Sequence, residues 1–255
     1  MSEPYDSSNR FVTANGLRFH VALDGDAKAP ALVLVNMASH NLTCWEPVLP
    51  GLLERFRVLR FDIRGTGKSG WGSDDAFTFS QYADDLVAIM DVLAIPRAFV
   101  VGVAYGARTA ARFALSHPQR LTALGLFDVA LTPPVEQSGQ RTLAEQARAL
   151  LRAAREPIVT PRKSWRFYED REAARKAHTA HTREPDVTNS LAGVTVPVLV
   201  ACGRQDMNLA EAQRIAAAIP GSEFHTLEMT GHGSPFFRPA LFVSLLGDFA
   251  QRHGL

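Results

Sequence analysis

Residues 98–107 read AFVVGVAYGA and join a predicted strand to a predicted helix through a very short turn. The first four residues are apolar, as in a strand that is buried on both faces of a sheet. Gly102 and Gly106 then flank Ala104, and a helical pattern, Thr109 to Leu115, follows at once. Small residues beside the central position indicate a tight strand-to-helix turn, because such a turn strains its central residue and crowds the neighbours.

Short apolar runs of this kind recur along the chain and alternate with helical patterns. This alternation is typical of an α/β fold, in which helices cover both faces of a mostly parallel sheet. The predicted strands are Leu17–Leu23, Ala31–Val35, Arg57–Phe61, Ala98–Val101, Leu121–Phe127, Val196–Ala201 and Glu223–Glu228. The predicted helices are one capped by Thr78 or Ser80 and ending before Pro96, then Thr109–Leu115, Ala210–Ile219, and a last one opened by Pro239.

One long segment, residues 132–190, contains no strand-like run. Prolines divide it into helical patterns such as Thr142–Arg155 and Trp165–Ala180. We therefore predict a core made of residues 1–131 and 191–255, with residues 132–190 forming a helical lid over a pocket. The 11 basic and 8 acidic side chains of this segment favour an anionic substrate. Arginines on solvated helix faces would give the same count, so this alternative stays open.

The composition of the 255 residues is that of an ordinary globular protein. The 27 basic and 26 acidic side chains nearly cancel, which excludes a field strong enough to gather nucleic acid. No apolar run approaches the roughly 18–20 residues of a membrane span, and the first ten residues, MSEPYDSSNR, are polar with two acids before the first base. We expect a cytoplasmic protein without a membrane partner.

The cysteine content and the short motifs point to no cofactor. Cys44 and Cys202 lie far apart without metal-ligand spacing around them, which favours a reducing compartment and a packing role for both. Residues 65–67, Gly-Thr-Gly, lack the rest of a dinucleotide-binding fingerprint, and no phosphate loop is found. The expected partner is a small-molecule substrate, and the sequence leaves the oligomeric state open.

An acid and a histidine follow two later predicted strands. Asp206 comes shortly after Val196–Ala201, and His232 comes shortly after Glu223–Glu228. Because the carboxyl ends of parallel strands meet at one edge of a sheet, we expect both side chains near Ala104. This is the chain order of a Ser-Asp-His triad with alanine at the first position.

In that arrangement the histidine accepts a proton from the nucleophile and the acid orients the histidine. Asp206 as a helix cap and His232 as a hydrogen-bonded loop residue are the structural alternatives. Asp128, which closes the strand Leu121–Phe127, is an alternative acid at the same sheet edge.

Two further stretches, residues 36–45 (NMASHNLTCW) and 56–69 (FRVLRFDIRGTGKS), carry a family resemblance. Together with the turn around Ala104, they resemble the α/β-hydrolase superfamily over nearly the whole chain outside residues 132–190, which we call the insert. Within that superfamily the chain is most similar to the 3-oxoadipate enol-lactonases. The resemblance implies the α/β-hydrolase fold, and its nucleophile serine corresponds to Ala104.

The resemblance also implies an oxyanion loop that begins at Asn36. That loop supplies one backbone N–H group near Met37 or Ala38, and Tyr105 supplies a second N–H group. His40 lies where the cofactor-independent quinolone dioxygenases of the same fold carry a substrate-positioning histidine. Those enzymes use a His-Asp pair as base. For His40 itself we expect a surface loop position, and a substrate-positioning role is the alternative.

Aromatic residues of the predicted lid and of the chain after His232 are candidates for the pocket wall. They are Trp165, Phe167, Tyr168, Phe236 and Phe237, and for each of them plain packing is the alternative.

Three hypotheses follow from Ala104, because a methyl group cannot attack a carbonyl. First, the natural chain has serine here and alanine was introduced to disarm a hydrolase of esters, lactones or C–C bonds. Second, the chain is an enzyme that uses a His-Asp general base without a covalent intermediate, which includes dioxygenase-like chemistry. Third, the chain binds ligands and has lost catalysis.

Overall fold

The computed structural model describes residues 9–73, 76–132, 139–177, 179–180 and 184–255. Its strands form one eight-stranded sheet. The strands lie in the order β1-β2-β4-β3-β5-β6-β7-β8, and all pairs from β4 to β8 are parallel. Only β1 and β2 run antiparallel to their neighbours. The strand bounds are β1 Asn9–Ala14, β2 Leu17–Asp24, β3 Ala31–Val35, β4 Arg57–Phe61, β5 Ala98–Val103, β6 Leu121–Phe127, β7 Val198–Gln205 and β8 Glu223–Gly231.

Helices cover both faces of this sheet. Side chains of β3 point alternately to the two faces of the sheet. Val33 and Val35 pack into one hydrophobic core, and Leu32 and Leu34 pack into the other. The first core is closed by α2, α3 and α6, and the second by α1 and α8. The helix bounds are α1 Leu49–Leu53, α2 Phe79–Val92, α3 Tyr105–Ser116, α4 Gln140–Ala153, α5 Arg171–Ala177, α6 Leu209–Ala218, α7 Ser234–Phe237 and α8 Pro239–His253.

The predicted fold class and the predicted strands are confirmed, and β1 is an addition. Its sequence, NRFVTA, carries few apolar residues because β1 is an edge strand that pairs only with β2. Phe11 in its centre is 44% exposed. An edge strand of this kind lacks the continuous apolar run of a buried strand, so it escapes an analysis based on such runs.

The predicted helices are also confirmed, except the one expected over Trp165–Ala180. Thr78 rather than Ser80 caps α2, since its side chain accepts a hydrogen bond from the backbone N–H of Gln81 at 3.1 Å. The expected helix Trp165–Ala180 is wrong as one element. A 3₁₀ turn over Lys163–Arg166 is followed by an extended stretch, and α5 begins only at Arg171.

The break in that helix has a physical cause. The backbone N–H of Glu169 donates to the carbonyl of Gly67 at 2.8 Å, and Tyr168 forms a β-bridge with the same glycine. Asp170 then caps α5 by accepting from the backbone N–H of Ala173 at 3.0 Å.

The segment between β6 and β7 thus contains α4 and α5. Residues 133–138, 178 and 181–183 of the predicted lid lie outside the described residues, as do residues 1–8 of the polar N-terminus. Within the described part of the chain, none of the helices is both long and apolar enough to span a bilayer.

Candidate active site

The turn around Ala104 joins β5 directly to α3. Ala104 has φ 53° and ψ −110°, a conformation that strains a residue with a side chain. Its backbone N–H donates to the carbonyl of Phe127 on the neighbouring strand at 2.8 Å. A Cβ atom on Gly102 would lie 2.3 Å from the carbonyl oxygen of Gly106, and one on Gly106 would lie 2.2 Å from that of Val35. Both glycines are therefore required by the turn.

Ala104 presents only a methyl group at this strained position. Its exposed fraction is 8%, and it packs in the second core with Phe127 and Trp165. The position is thus buried at the carboxyl edge of the sheet. The alanine itself has no acid-base or nucleophilic group.

His232 and Asp206 lie together at the same edge of the sheet. Asp206 follows β7 and His232 follows β8, and Nδ1 of His232 lies 2.9 Å from Oδ2 of Asp206. The other oxygen of Asp206, Oδ1, accepts from the backbone N–H of Asn208 at 3.0 Å and from Nε2 of Gln140 at 3.3 Å. Asp206 therefore holds both the turn before α6 and the ring of His232.

The surroundings of His232 raise its pKa above the ordinary value for histidine. Burial by itself would lower the pKa, but the hydrogen bond and the charge of Asp206 outweigh it, and the charge of Asp128 adds to them. Because Nδ1 donates to Asp206, Nε2 is the nitrogen left to face a reacting group. The side chain remains 27% exposed, so solvent reaches it.

Asp128 is fully buried and does not contact His232 directly. One of its oxygens accepts from the backbone N–H of Gly203 at 3.2 Å. The other accepts three hydrogen bonds, from the backbone N–H of Gly233 at 3.0 Å and from the N–H and Oγ of Ser234 at 2.7 and 2.8 Å. Of the two candidate acids, the structure thus brings Asp206 to the ring of His232, and Asp128 to the backbone that carries the ring.

Two effects raise the pKa of Asp128 to about 6. Burial is the larger, and the charge of the nearby Asp206 is the second, while the charge of His232 and the donors of Ser234 oppose them. Ser234 was not identified from the sequence. The sequence signal that could have identified Ser234 is a hydroxyl residue directly after Gly231-His232-Gly233.

The loop after β3 lies beside the turn around Ala104. The side chain of Asn36 is fully engaged, since Oδ1 accepts from the indole of Trp45 at 2.6 Å and Nδ2 donates to the carbonyl of Phe61 at 2.8 Å. Asn36 therefore shapes the loop and does not reach into the site. The backbone N–H groups of Met37 and Ala38 donate no hydrogen bond within the described residues.

His40 is buried, so the expectation of an exposed loop residue is wrong for it. Its Nδ1 donates to the carbonyl of Ala38 at 2.8 Å, and its ring stacks on Phe236 at a centroid distance of 5.6 Å. Burial is the main cause that lowers the pKa of His40 to about 4, and the charges of Arg166 and His232 lower it further. His40 is therefore neutral near pH 7.

Residues 32–245 match the family described as the alpha/beta hydrolase family. This chain belongs to that family. The resemblance found in the sequence is thus confirmed at the level of the superfamily. The turn around Ala104 has the sharp strand-to-helix geometry of an elbow.

Curated relatives and solved structures of alpha/beta hydrolases agree with this assignment. A putative carbamate hydrolase, RutD, of Variovorax paradoxus (strain S110) is 29% identical over 258 residues, which cover 91% of this chain and 96% of the relative. The 3-oxoadipate enol-lactonase 2 of Acinetobacter baylyi is 27% identical and covers 91% and 92% of the two chains. The crystal structure of the enol-lactonase from Burkholderia xenovorans LB400 superposes with a TM-score of 0.78 at 26% identity, covering 95% of this chain and all of the other.

In this alpha/beta hydrolase the segment between β6 and β7 contacts the site through Trp165. Trp165 is buried, and its ring lies 5.4 Å from that of Phe236, measured between centroids. Its Nε1 has no hydrogen-bond partner among the described residues. A buried donor without a partner costs free energy unless a ligand or water accepts from it.

The remaining aromatic candidates differ in position. Phe236 packs between His40 and Trp165, while Phe237 belongs to a small separate cluster with α4. The hydroxyl of Tyr168 donates to the carbonyl of Ser39 at 2.7 Å, and Phe167 is exposed.

A narrow cavity of about 10 Å³ lies between the loop after β3 and α5. Its lining includes Met37, Ala38, Tyr105 and Ala174. The hydroxyl of Tyr105 donates to the carbonyl of Ala177 and so closes one side of the cavity. A substrate of several heavy atoms does not fit unless α5 moves away from the loop.

Asp128, Cys202 and Asp206 are close enough together to be considered as metal ligands. Burial, followed by the charges of both acids, raises the pKa of the Cys202 thiol, so the thiolate that a metal needs is disfavoured. The carboxylate oxygens already accept hydrogen bonds from His232 and from the backbone. This arrangement fits a histidine-orienting network and not a metal centre.

Proposed function

We propose that this site is built for the hydrolysis of small esters or lactones and that only the nucleophilic hydroxyl is missing, at position 104. The observation that carries the proposal is the hydrogen-bonded pair of His232 and Asp206 beside a strained elbow. A strained elbow with two indispensable glycines costs free energy in a protein that makes no use of it.

With serine at position 104, His232 is the general base and Asp206 is the residue that orients it. Nε2 of His232 takes the proton of the attacking hydroxyl and later gives it to the leaving group. The N–H group of Met37 or Ala38 and that of Tyr105 stabilise the oxyanion. The chain with alanine binds the same substrates but leaves them intact.

The arrangement of the chain follows the same proposal. Residues 132–190 act as a lid on a core made of residues 1–131 and 191–255, and Trp165 forms part of the pocket wall. The relatives named as a carbamate hydrolase and as enol-lactonases support a small substrate with a carbonyl group next to oxygen or nitrogen. We expect a cytoplasmic protein that needs no cofactor.

The first test compares this chain with Ala104→Ser on p-nitrophenyl acetate and a muconate-type enol-lactone. We expect turnover and labelling by a fluorophosphonate probe for the serine variant only. The double variant Ala104→Ser, His232→Ala is the matched control and should be inactive in both assays. If Ala104→Ser is folded, binds the esters and still neither turns over nor labels, the proposal is wrong.

A second candidate function is base catalysis without a covalent intermediate. The intact His232–Asp206 pair in a chain without a nucleophile favours it, since a histidine with a raised pKa can deprotonate water or an acidic substrate directly. In that case the chain with Ala104 is itself active and His232→Ala abolishes the activity. Inactivity of every variant, with binding retained, would support the third hypothesis, a ligand-binding protein.

A further inference from the structure

A second and larger cavity opens on the outer side of the insert. Its volume is about 430 Å³, and Arg166, Arg171 and Arg175 line it together with Phe167 and Tyr168. Three arginines thus lie around a space large enough for a small organic molecule.

None of these three arginine side chains forms an ion pair or a hydrogen bond with a residue that the structure describes. Arg171 and Arg175 are four residues apart on α5, and like charges at this spacing destabilise a helix. The cluster therefore carries an electrostatic cost that a bound anion would remove.

The acids nearest in sequence are engaged elsewhere. Glu169 pairs with Arg18 at 3.6 Å, and Glu172 pairs with Lys176 at 3.0 Å. The third, Asp170, accepts from the indole of Trp71 at 2.9 Å and caps α5. Among the described residues, these neighbouring acids therefore do not neutralise the guanidinium groups of the cavity.

The outer cavity adjoins the inner one. Ala174 lines both, and Tyr168, which lines the outer cavity, donates to the carbonyl of Ser39 in the wall of the inner one. Arg166 is near enough to His40 for its charge to lower the pKa of that histidine. A molecule that spans both cavities would place one end among the arginines and the other beside the loop after β3.

We infer that the arginine-lined cavity binds a carboxylate of the substrate, so that the preferred substrates are anionic esters or lactones. This inference rests on the proposed function. A guanidinium group binds a carboxylate through two parallel hydrogen bonds, and Phe167 and Tyr168 provide an apolar wall for the carbon chain between the two ends.

The test uses the chain with Ala104, which under the proposed function leaves esters intact. Calorimetry measures the Kd of monomethyl glutarate, which is anionic, and of dimethyl glutarate, which is neutral. The double variant Arg171→Gln, Arg175→Gln should raise the Kd of the half ester roughly tenfold and leave that of the diester unchanged. The matched control, Arg141→Gln with Arg152→Gln, removes two exposed charges from α4 of the same insert and should change neither value.

Three results would overturn the inference. In the first, half ester and diester bind equally well to the parent chain, or the half ester does not bind. In the second, both double variants raise the Kd of the half ester to the same extent, which indicates that the net charge of the protein alone affects binding. In the third, inorganic phosphate binds as tightly as the half ester, which indicates a general anion site.

The Ala104→Ser background separates this inference from the proposed function. There the arginine double variant should raise KM for mono-p-nitrophenyl glutarate without changing kcat, and hydrolysis of p-nitrophenyl acetate should be unaffected. If Ala104→Ser hydrolyses both esters and the double variant changes neither, the arginine assignment fails and the function stands. If Ala104→Ser is inactive but the double variant still weakens half-ester binding, the arginine assignment stands and the function fails.

Discussion

The carboxyl edge of the sheet and the insert that faces it are held by different kinds of contact. At the edge, Ala104, Asp128 and Gly106 are fixed by backbone hydrogen bonds and by distances that leave no room for another atom. In the insert, α5 is joined to the core through the carbonyl of Ala177, and the exposed side chains of Arg171 and Arg175 pair with none of the residues that the structure describes. The edge is therefore fixed by its backbone geometry, whereas the described part of the insert exposes charged side chains to its surroundings.

The largest effect is expected at the edge, from Asp206→Asn in the Ala104→Ser background. The variant should lower kcat/KM by about 10³- to 10⁴-fold, because the asparagine no longer stabilises the protonated ring of His232. Activity requires neutral His232, whose raised pKa places the rise in activity above pH 6.5. In the asparagine variant this rise should move to lower pH. Asp248→Asn, at an exposed site on α8, is the control for a change of charge, and a residual rate within tenfold of the parent would contradict the assignment.

Gly106→Ala tests the steric part of the edge. The new Cβ would lie 2.2 Å from the carbonyl oxygen of Val35 and 2.6 Å from that of Asn36, so we expect a loss of about 4 kcal/mol in the free energy of unfolding. Gly193→Ala meets open space and should cost less than about 0.5 kcal/mol. Urea unfolding of both variants measures the difference, and equal stabilities would show that the turn is not tightly packed.

Asp128→Asn tests the electrostatic part of the edge. A folded-state pKa of about 6, above the ordinary 3.8, means that the native state binds the proton more tightly than the unfolded state. The stability that this provides is complete below pH 3.8 and is lost as the pH rises through 6, by about 3 kcal/mol. The stability of the parent chain should therefore fall relative to that of Asp128→Asn between pH 4 and 6.5. A constant difference over this range would argue against the burial of a charged Asp128.

Trp165→Phe tests whether the indole N–H of the insert contributes to substrate binding. Phenylalanine keeps an aromatic ring on Phe236 and removes a donor that has no partner, so the free energy of unfolding should change by less than about 1 kcal/mol. If the indole donates to the substrate, KM in the Ala104→Ser background rises about tenfold. Trp71→Phe is the comparison, because its indole has a partner, Asp170 at 2.9 Å, and its loss should cost more stability than Trp165→Phe.

The smallest effect is expected from Tyr168→Phe, which removes one hydrogen bond between the insert and Ser39. Its cost is about 1 kcal/mol or less. Amide exchange should become faster over residues 163–177 and should stay the same at Ala104, whose N–H donates to Phe127. A uniform acceleration over both regions would show that insert and edge open together.

The sequence predicts the edge better than the insert, for a physical reason. Buried parallel strands need continuous apolar runs, and the elbow needs glycines at fixed places, so both leave a clear local pattern. The break at Tyr168 arises instead from a bridge to Gly67, about a hundred residues away, and no pattern within residues 165–180 contains it.

The sequence also does not show which of the two acids contacts His232. Asp128 and Asp206 both follow strands at the same edge, and only the distances show that Asp206 reaches His232 while Asp128 binds Gly233 and Ser234. His40 is a similar case, because a loop histidine between polar residues gives no sign that Phe236 will cover it.

Three of the hydrogen bonds between insert and core have a consequence for the evolution of the protein, because the insert accepts them through its backbone. Asn41 donates from its side chain to the carbonyl of Ser164 at 2.7 Å and from its backbone to that of Trp165 at 2.8 Å, and Tyr105 donates to the carbonyl of Ala177. In each case the insert contributes a backbone oxygen, which every amino acid possesses. Mutations can therefore replace side chains of the insert without breaking these attachments. Side chains of the insert can therefore change over evolutionary time while these three attachments and the inherited edge stay unchanged.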